Sequence, residues 1–422
     1  MSYNTGSQAP STDWKFHAFP ALDVEGATAK IKEGEASYTF KDGELGIVSR
    51  CDTVQVASND PIEDYLVSAD VYLQEKGKWH FWAVYDGHSG RHTSSVLSHS
   101  LIPYVARSLN DSSSEETAIE AAMVSAFTTL DNDISADCLA ALNDAKTHAE
   151  VQARLAPFAS GSCALLVAYD PTHSVLRVAN TGDSRAVLGR RSTDKPGTAW
   201  STIALSNDHA AANPVEAERV KALHPDEPDL ITKRDGDCER FVGIAVTRAF
   251  GDLRWKWPLK DTEIVEKQYS GKPAPKPLKS LPYLEATPEV TATTVQKDDF
   301  LIMASDGLWN HLSSEGAVHA VGLWIDAMKA GNLNKVGSGP EIAVDGGPAL
   351  EGKAEGISFW EYWKVNPENF VVEDDNAATH LVKNAFGGTQ RQLFTGVMTV
   401  YAPTSKTMRD DVSVQVIFFG DV

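Results

Sequence analysis

Positive charge is what this 422-residue chain most conspicuously lacks: 38 Lys and Arg face 58 Asp and Glu, a formal net charge of −20. A field of that sign repels a phosphate backbone, so nucleic acid is not an expected partner. Cysteine is scarce too. Cys51, Cys138, Cys163 and Cys238 are the whole set, with no C-x-x-C spacing, which argues against a zinc site or a disulfide framework and for a reducing compartment. Long apolar runs are missing, since stretches such as 163–168 and 414–419 have strand length and fall far short of the roughly 20 residues of a spanning helix. No transmembrane segment is expected. Arginine does not occur in the first 49 residues, where Lys mixes with Asp and Glu and no apolar signal core appears. Either the chain is cytoplasmic or a targeting segment lies outside this sequence.

What is present is an ordinary globular composition, 42% hydrophobic, in a chain long enough to bury a large core. Residues 1–13 are polar and read as a flexible arm, with order expected from near Trp14. The run Lys78–Tyr85 has strand composition and ends at an Asp-Gly turn signal, after which a helix is expected beyond Ser89. Ser112 and Glu115 have capping-box spacing, followed by Ile119, Met123, Ala126, Phe127 and Leu130 at helical period. A second helix is expected from Asn213 as cap, with Pro214 first and Glu216 third.

Between these helices the period changes. Residues 162–169, 175–180 and 185–189 read as an antiparallel meander, and further strands are expected at 241–246, 300–304 and 412–419, with a helix between Asn376 and Phe386. Strand groups interleaved with helices, without a clear linker, predict an α+β fold with layered sheets and one domain over 14–422. Two stretches, 256–282 with its Lys and Pro and 330–357 with its Gly, Ala and Pro, read as surface loops.

Six acidic motifs run along this chain: Pro61-Ile62-Glu63-Asp64, Asp86-Gly87-His88, Thr181-Gly182-Asp183-Ser184-Arg185, Phe250-Gly251-Asp252, Ser305-Asp306-Gly307-Leu308-Trp309 and Arg409-Asp410-Asp411. Each alone has a bland explanation as a hairpin turn or a solvated pair. Together they put carboxylates in turns beside apolar runs, the way strands deliver hard oxygen ligands to a shared metal site. A set of Asp and Glu without Cys or paired His selects Mg²⁺ or Mn²⁺ over Zn²⁺. His88, two residues from Asp86, is placed to act as a general acid near neutral pH.

The stretches Phe81–Gly90, Gly161-Ser162, Thr181–Arg185, Asp208-His209, Thr247–Asp252, Ala304–Trp309 and Arg409-Asp410 resemble, in order, those of the metal-dependent protein Ser/Thr phosphatases, the type 2C or PPM family. The resemblance covers roughly residues 50–420. It implies a central sandwich of two antiparallel β-sheets flanked by α-helices, with a binuclear metal centre at one edge. By the same resemblance Asp86 bridges two Mg²⁺ or Mn²⁺ ions, Asp306 and Asp410 complete one, and the Gly87 carbonyl with Glu63, largely through water, holds the other. A bridging water would attack phosphorus while His88 protonates the departing serine or threonine oxygen. Asp183 would lie on a third, weaker site. Asn310 stands where relatives commonly carry Asp, so a third ion is expected to bind weakly or not at all.

Within the family, the segments 57–64, 248–257, 282–284 and 287–290 are similar to the pyruvate dehydrogenase phosphatase branch. By this resemblance Asn59 stands where most relatives carry an arginine that binds the substrate phosphate, and is expected as a phosphate contact. The resemblance points to the phosphorylated α subunit of the pyruvate dehydrogenase complex as partner, in the mitochondrial matrix, and leaves a regulatory subunit open. Other readings are a different phosphoprotein substrate, a catalytically silent binding module on the same fold, and another divalent-metal hydrolase such as a nuclease, which the charge disfavours.

Overall fold

The computed structural model describes residues 20–41, 43–191, 200–234, 238–275, 279–333 and 364–421. The expected arm at 1–13, the ordered start near Trp14 and most of the expected 330–357 loop lie outside the described residues.

Two antiparallel sheets form the frame. Their strands are β1 (Glu35–Thr39), β2 (Val48–Val56), β3 (Tyr65–Leu73), β4 (Gly77–Tyr85), β5 (Ala164–Asp170), β6 (Val175–Thr181), β7 (Arg185–Arg191), β8 (Trp200–Ala204), β9 (Glu289–Thr294), β10 (Asp299–Ala304) and β11 (Val412–Phe419). One sheet has the order β1-β2-β11-β10-β7-β8 and the other β9-β6-β5-β4-β3.

Side-chain alternation explains why these sheets stack. In β4, Trp82 and Val84 join Leu165, Val167, Leu188, Leu301, Met303 and Ile417 in the layer between the sheets. The alternate residues Trp79, Phe81, Ala83 and Tyr85 pack outward with the helices His92–Asp111 and Glu116–Asp144. On the other side Phe300, Ile302 and Ala304 of β10 and Val412, Val414 and Val416 of β11 pack with the helices Val24–Lys32, Ser314–Lys329, Ala377–Ala385 and Arg391–Thr399. Both faces of the central strands are therefore apolar, which is why they read as continuous hydrophobic runs rather than alternating ones. The result is the expected helix–sheet–sheet–helix arrangement.

Several local expectations need correction. The Ser112–Glu115 capping box does not form: Ser112 closes the preceding helix, its N–H and hydroxyl both donating to the Leu109 carbonyl, and Glu115 caps Glu116–Asp144 without a side-chain bond. Asn213 does cap Pro214–Leu223, accepting from the Val215 N–H at 3.0 Å, but Glu216 turns inward. The meander stops after β6, because β7 crosses to the other sheet and pairs with β10 and β8. The strand expected at 241–246 ends at Phe241, where the chain turns back with a bridge to Ile244. The 256–282 stretch contains a helix, Leu259–Tyr269, that buries Thr262 and Val265. Its many Lys and Pro masked that short apolar face.

Leu301 is fully buried between the sheets. Leu301→Ala should cost about 2–5 kcal/mol through lost burial and the cavity left behind, measured by denaturant unfolding with the m-value unchanged.

Candidate metal centre

Antiparallel register brings distant segments to one end of the sandwich. Ala304 at the end of β10 lies opposite Val414 near the start of β11 and opposite Arg185 at the start of β7. Asp306 and Asp410 therefore emerge beside each other, and Asp183 sits on the crossover from β6 to β7. Asp86 leaves the end of β4, joined to the rest through its carbonyl, which accepts the Cys163 N–H at 2.8 Å.

Asp86, Asp183 and Asp306 each place a carboxylate oxygen within 4.8 Å of the others. The Asp306 N–H also points at Asp86 Oδ2, 3.4 Å away. Removal from bulk water, followed by the charges of Asp64, Asp306, Asp183 and Asp410, raises the Asp86 carboxyl well above the usual range. Asp306 is raised in the same way, by burial and then by Asp183, Asp410 and Asp64. Asp410 stands outside the tight triplet, yet its charge acts on both, and its own Oδ1 accepts the Asp411 N–H at 2.8 Å. Asp183 Oδ1 accepts from Cys163 Sγ at 3.2 Å.

Two further carboxylates beside this cluster have buried oxygens that accept no hydrogen bond. Neither Asp64 oxygen has a partner at hydrogen-bonding geometry, and Glu63 Oε2 likewise accepts no hydrogen bond. Burial and the Asp411 charge lift Asp64 strongly, while the nearby Ser305 and Ser413 hydroxyls moderate the shift. Converging, desolvated carboxylates with orphaned oxygens are the donor chemistry of a hard divalent cation, so the residues present fit Mg²⁺ or Mn²⁺.

His88 lies beside the cluster on a short bridge in which Gly87 and His88 pair with Ser162 and Gly161. Its Nε2 meets Asp252 Oδ2 at 2.6 Å. Burial would lower the imidazole, but the Asp252 carboxylate, with Asp183 and Glu63, raises it above its ordinary value. Gly161 is required here: a Cβ would collide with both the Asp252 carboxylate and His88 Nε2.

Holding Asp252 takes strain and anchors. Gly251 and Asp252 have φ of +67° and +50°, consecutive left-handed positions that a non-glycine residue adopts only when its surroundings demand it. The Gly251 N–H donates to Asp131 Oδ1 at 3.0 Å, Lys256 Nζ bridges Asp131 Oδ2 and the Ala249 carbonyl, and the Asp252 N–H donates to the Ser160 carbonyl. Upstream, Glu216 accepts from Thr247, Arg248 and Arg219.

A second convergence, His209, Glu216 and Glu289, is of a different kind. His209 Nδ1 accepts the Gly182 N–H at 3.2 Å, so its proton sits on Nε2, facing Glu289 Oε2 at 3.5 Å. Burial and then Arg248 lower this histidine to about 4. The Arg248 guanidinium, 2.6 Å from Glu216 and 3.8 Å from Glu289, already occupies the place of a cation. This cluster braces the crossover that carries Asp183.

The protein phosphatase 2C family model matches residues 51–338, more than half of the chain. The chain belongs to the protein phosphatase 2C family. This phosphatase is 36% identical over 416 residues to a protein phosphatase 2C homolog of Schizosaccharomyces pombe, covering 95% of this chain and 86% of that one. It is 35% identical to the mitochondrial [pyruvate dehydrogenase [acetyl-transferring]]-phosphatase 1 of Saccharomyces cerevisiae, covering 93% of this chain and 72% of that one. With the corresponding Bos taurus protein it shares 30% identity over 99% of this chain and 86% of that one. A crystal structure of serine-threonine phosphatase 2C from Toxoplasma gondii has the same fold, with a TM-score of 0.51 at 14% identity, covering 91% of this chain and 99% of that one. The protein is a protein serine/threonine phosphatase.

Sequence reasoning about this phosphatase missed three residues. Asp64 was visible in the Glu63-Asp64 pair, but nothing local says which of two adjacent carboxylates turns inward. Asp252 was visible as a motif, but its side chain pairs with His88 across 164 positions. Asp411 accepts from the Ser58, Asn59 and Glu63 N–H groups and from Asn59 Nδ2, so it fixes the loop that carries Glu63.

Burial alone would raise the Glu216 carboxyl, but hydrogen bonds from Arg219, Arg248 and Thr247 bring it down to about 2. A depressed carboxyl contributes stability above its unfolded value, lost as pH falls through the folded one. The wild-type phosphatase should therefore lose stability between about pH 4.5 and 2. Glu216→Gln should cost about 3 kcal/mol at pH 7 by stranding Arg248, and should flatten that acid limb in a pH series of urea melts.

Proposed function

We propose that this phosphatase hydrolyses phosphoserine and phosphothreonine at the Asp86 centre and acts on the phosphorylated α subunit of the pyruvate dehydrogenase complex in the mitochondrial matrix. The observation that carries the site assignment is the meeting of the Asp86, Asp183 and Asp306 oxygens within 4.8 Å of one another, with the His88–Asp252 pair beside them.

Asp86, Asp306 and Asp410 would hold one Mg²⁺ or Mn²⁺ ion, and Asp86 with the Gly87 carbonyl and Glu63 a second. Asp64, orphaned next to Asp86, adds negative charge behind them, while Asp183 would serve a weaker third ion because Asn310 lacks a charge. What such ions supply when bound is positive charge against the phosphoryl oxygens and a lowered pKa for a water. The chain's own residues perform the proton work. His88 Nε2 is committed to Asp252, so Nδ1, which makes no hydrogen bond among the described residues, carries the proton to the departing serine or threonine oxygen. Asp252 keeps that imidazole protonated and oriented, and Gly161 leaves room for the pair.

The narrower substrate rests on similarity to the mitochondrial pyruvate dehydrogenase phosphatases of yeast and cattle.

Asp86→Asn should abolish Mn²⁺ binding and activity together on an aryl phosphate. His88→Ala should retain Mn²⁺ and lose about 10²- to 10⁴-fold in kcat, with Gly161→Ala resembling it. Full activity in the Asp86 variant would overturn the site. For the substrate, the phosphorylated dehydrogenase complex should be turned over faster than an unrelated phosphoprotein under identical conditions; equal rates would overturn the substrate assignment and leave the phosphatase activity standing.

A further inference from the structure

The family resemblance implies an arginine for the substrate phosphate where this chain has Asn59, and the structure shows why that amide would be a poor substitute. Asn59 Nδ2 donates to Asp411 Oδ2 at 2.9 Å, and its Oδ1 accepts from Lys406 Nζ at 3.2 Å. Both ends of the side chain are engaged, and its outward end is an acceptor, the wrong polarity for a phosphate oxygen. What Asn59 does present is a lysine.

Lys406 comes from a distant segment, the turn Thr404–Thr407. Its ammonium is 3.9 Å from Glu63 Oε2, too long for a hydrogen bond, and the side chain is 48% exposed, so this pair alone contributes little stability. That position beside Glu63, one of the carboxylates assigned to the metal centre, nevertheless puts the ammonium at the edge of the cluster. A cavity of about 500 Å³ opens at this point, lined by Asn59, Glu63, Arg91, His92, Pro403 and Lys406. Arg91, exposed at its rim, makes no side-chain hydrogen bond or ion pair among the described residues. In a chain of net charge −20, two cationic side chains lining one cavity beside a carboxylate cluster are a local reversal of sign.

We propose that Lys406 binds the substrate phosphate in place of the missing arginine, with Asn59 as the positioning residue that aims it. The proposal rests on the Asp86 centre being the phosphoryl-transfer site. An ammonium has three donors; Asn59 takes one, leaving two for phosphate oxygens, as a point charge rather than a planar fork. The loop carrying Asn59 is fixed by Asp411, next to Asp410 in the chain, so the phosphate-binding cation and the metal ligands share one anchor.

The test is titration calorimetry of inorganic phosphate into the Mn²⁺-loaded full chain, with Mn²⁺ affinity measured separately and aryl phosphate kinetics run alongside. Lys406→Met should weaken phosphate binding about 10- to 100-fold, the loss of a charged hydrogen bond. KM should rise in parallel while kcat stays within about three-fold, and Mn²⁺ affinity should not change. Lys406→Arg should restore binding, as should Asn59→Arg placed in the Lys406→Met background. Unchanged phosphate affinity in Lys406→Met would overturn the proposal, and so would a parallel loss of Mn²⁺, which would make Lys406 a support for Glu63. A wild-type chain that binds neither Mn²⁺ nor phosphate would instead overturn the site on which the proposal rests. If the wild type binds phosphate without turnover, the binding comparison still decides.

Discussion

Mutual repulsion among carboxylates is the constraint around which this molecule is organised. Asp64, Asp86, Asp183, Asp306 and Asp410 come from five separate segments; burial raises all five, and the charges of the others raise Asp86 and Asp306 further. Left to themselves, such groups would separate. They stay because they are carried at or near the ends of strands, in sheets whose apolar cores cost far more to disturb than the repulsion costs to bear. Such an arrangement suits a divalent cation, whose charge would relieve the repulsion.

Around this cluster, neutral and cationic groups are arranged in distinct tasks. Asp252 holds His88, and is itself held by Asp131, Lys256 and Ser160 through two consecutive left-handed residues. His209 braces the Asp183 crossover in its neutral form, with the nearby guanidinium of Arg248 taking the place a metal would need. Asp411 ties the Glu63 loop to the strand that begins beside Asp410. Adjacent residues, Asp410 and Asp411, thus divide between the cavity and its scaffold.

Much of the fold was legible because its signals are local. Apolar runs at 79–85, 163–169, 300–304 and 412–419 are strands because both their faces are buried, and Asn213 and Asn376 cap helices with their own side chains. Where expectation and structure part, a non-local contact intervened. Ser112 had two helix ends within reach and closed the earlier one. The segment after β6 continues the strand pattern, yet Gly182, at φ +108° and packed against Cys163, turns it into the other sheet.

Sequence by itself determined the chemistry available: hard oxygen donors, one well-placed histidine, no Cys pair at zinc-ligand spacing and a negative field that disfavours nucleic acid. These follow from residue type and from turn motifs whose geometry a few neighbours set. Which carboxylate of a pair is left without a hydrogen-bond partner, which partner raises His88, and which cation meets Asn59 were decided only by tertiary structure. Each depends on residues between 160 and 360 positions apart, whose meeting is set by strand register and sheet stacking. Local sequence carries no record of register until the opposing strand is in place.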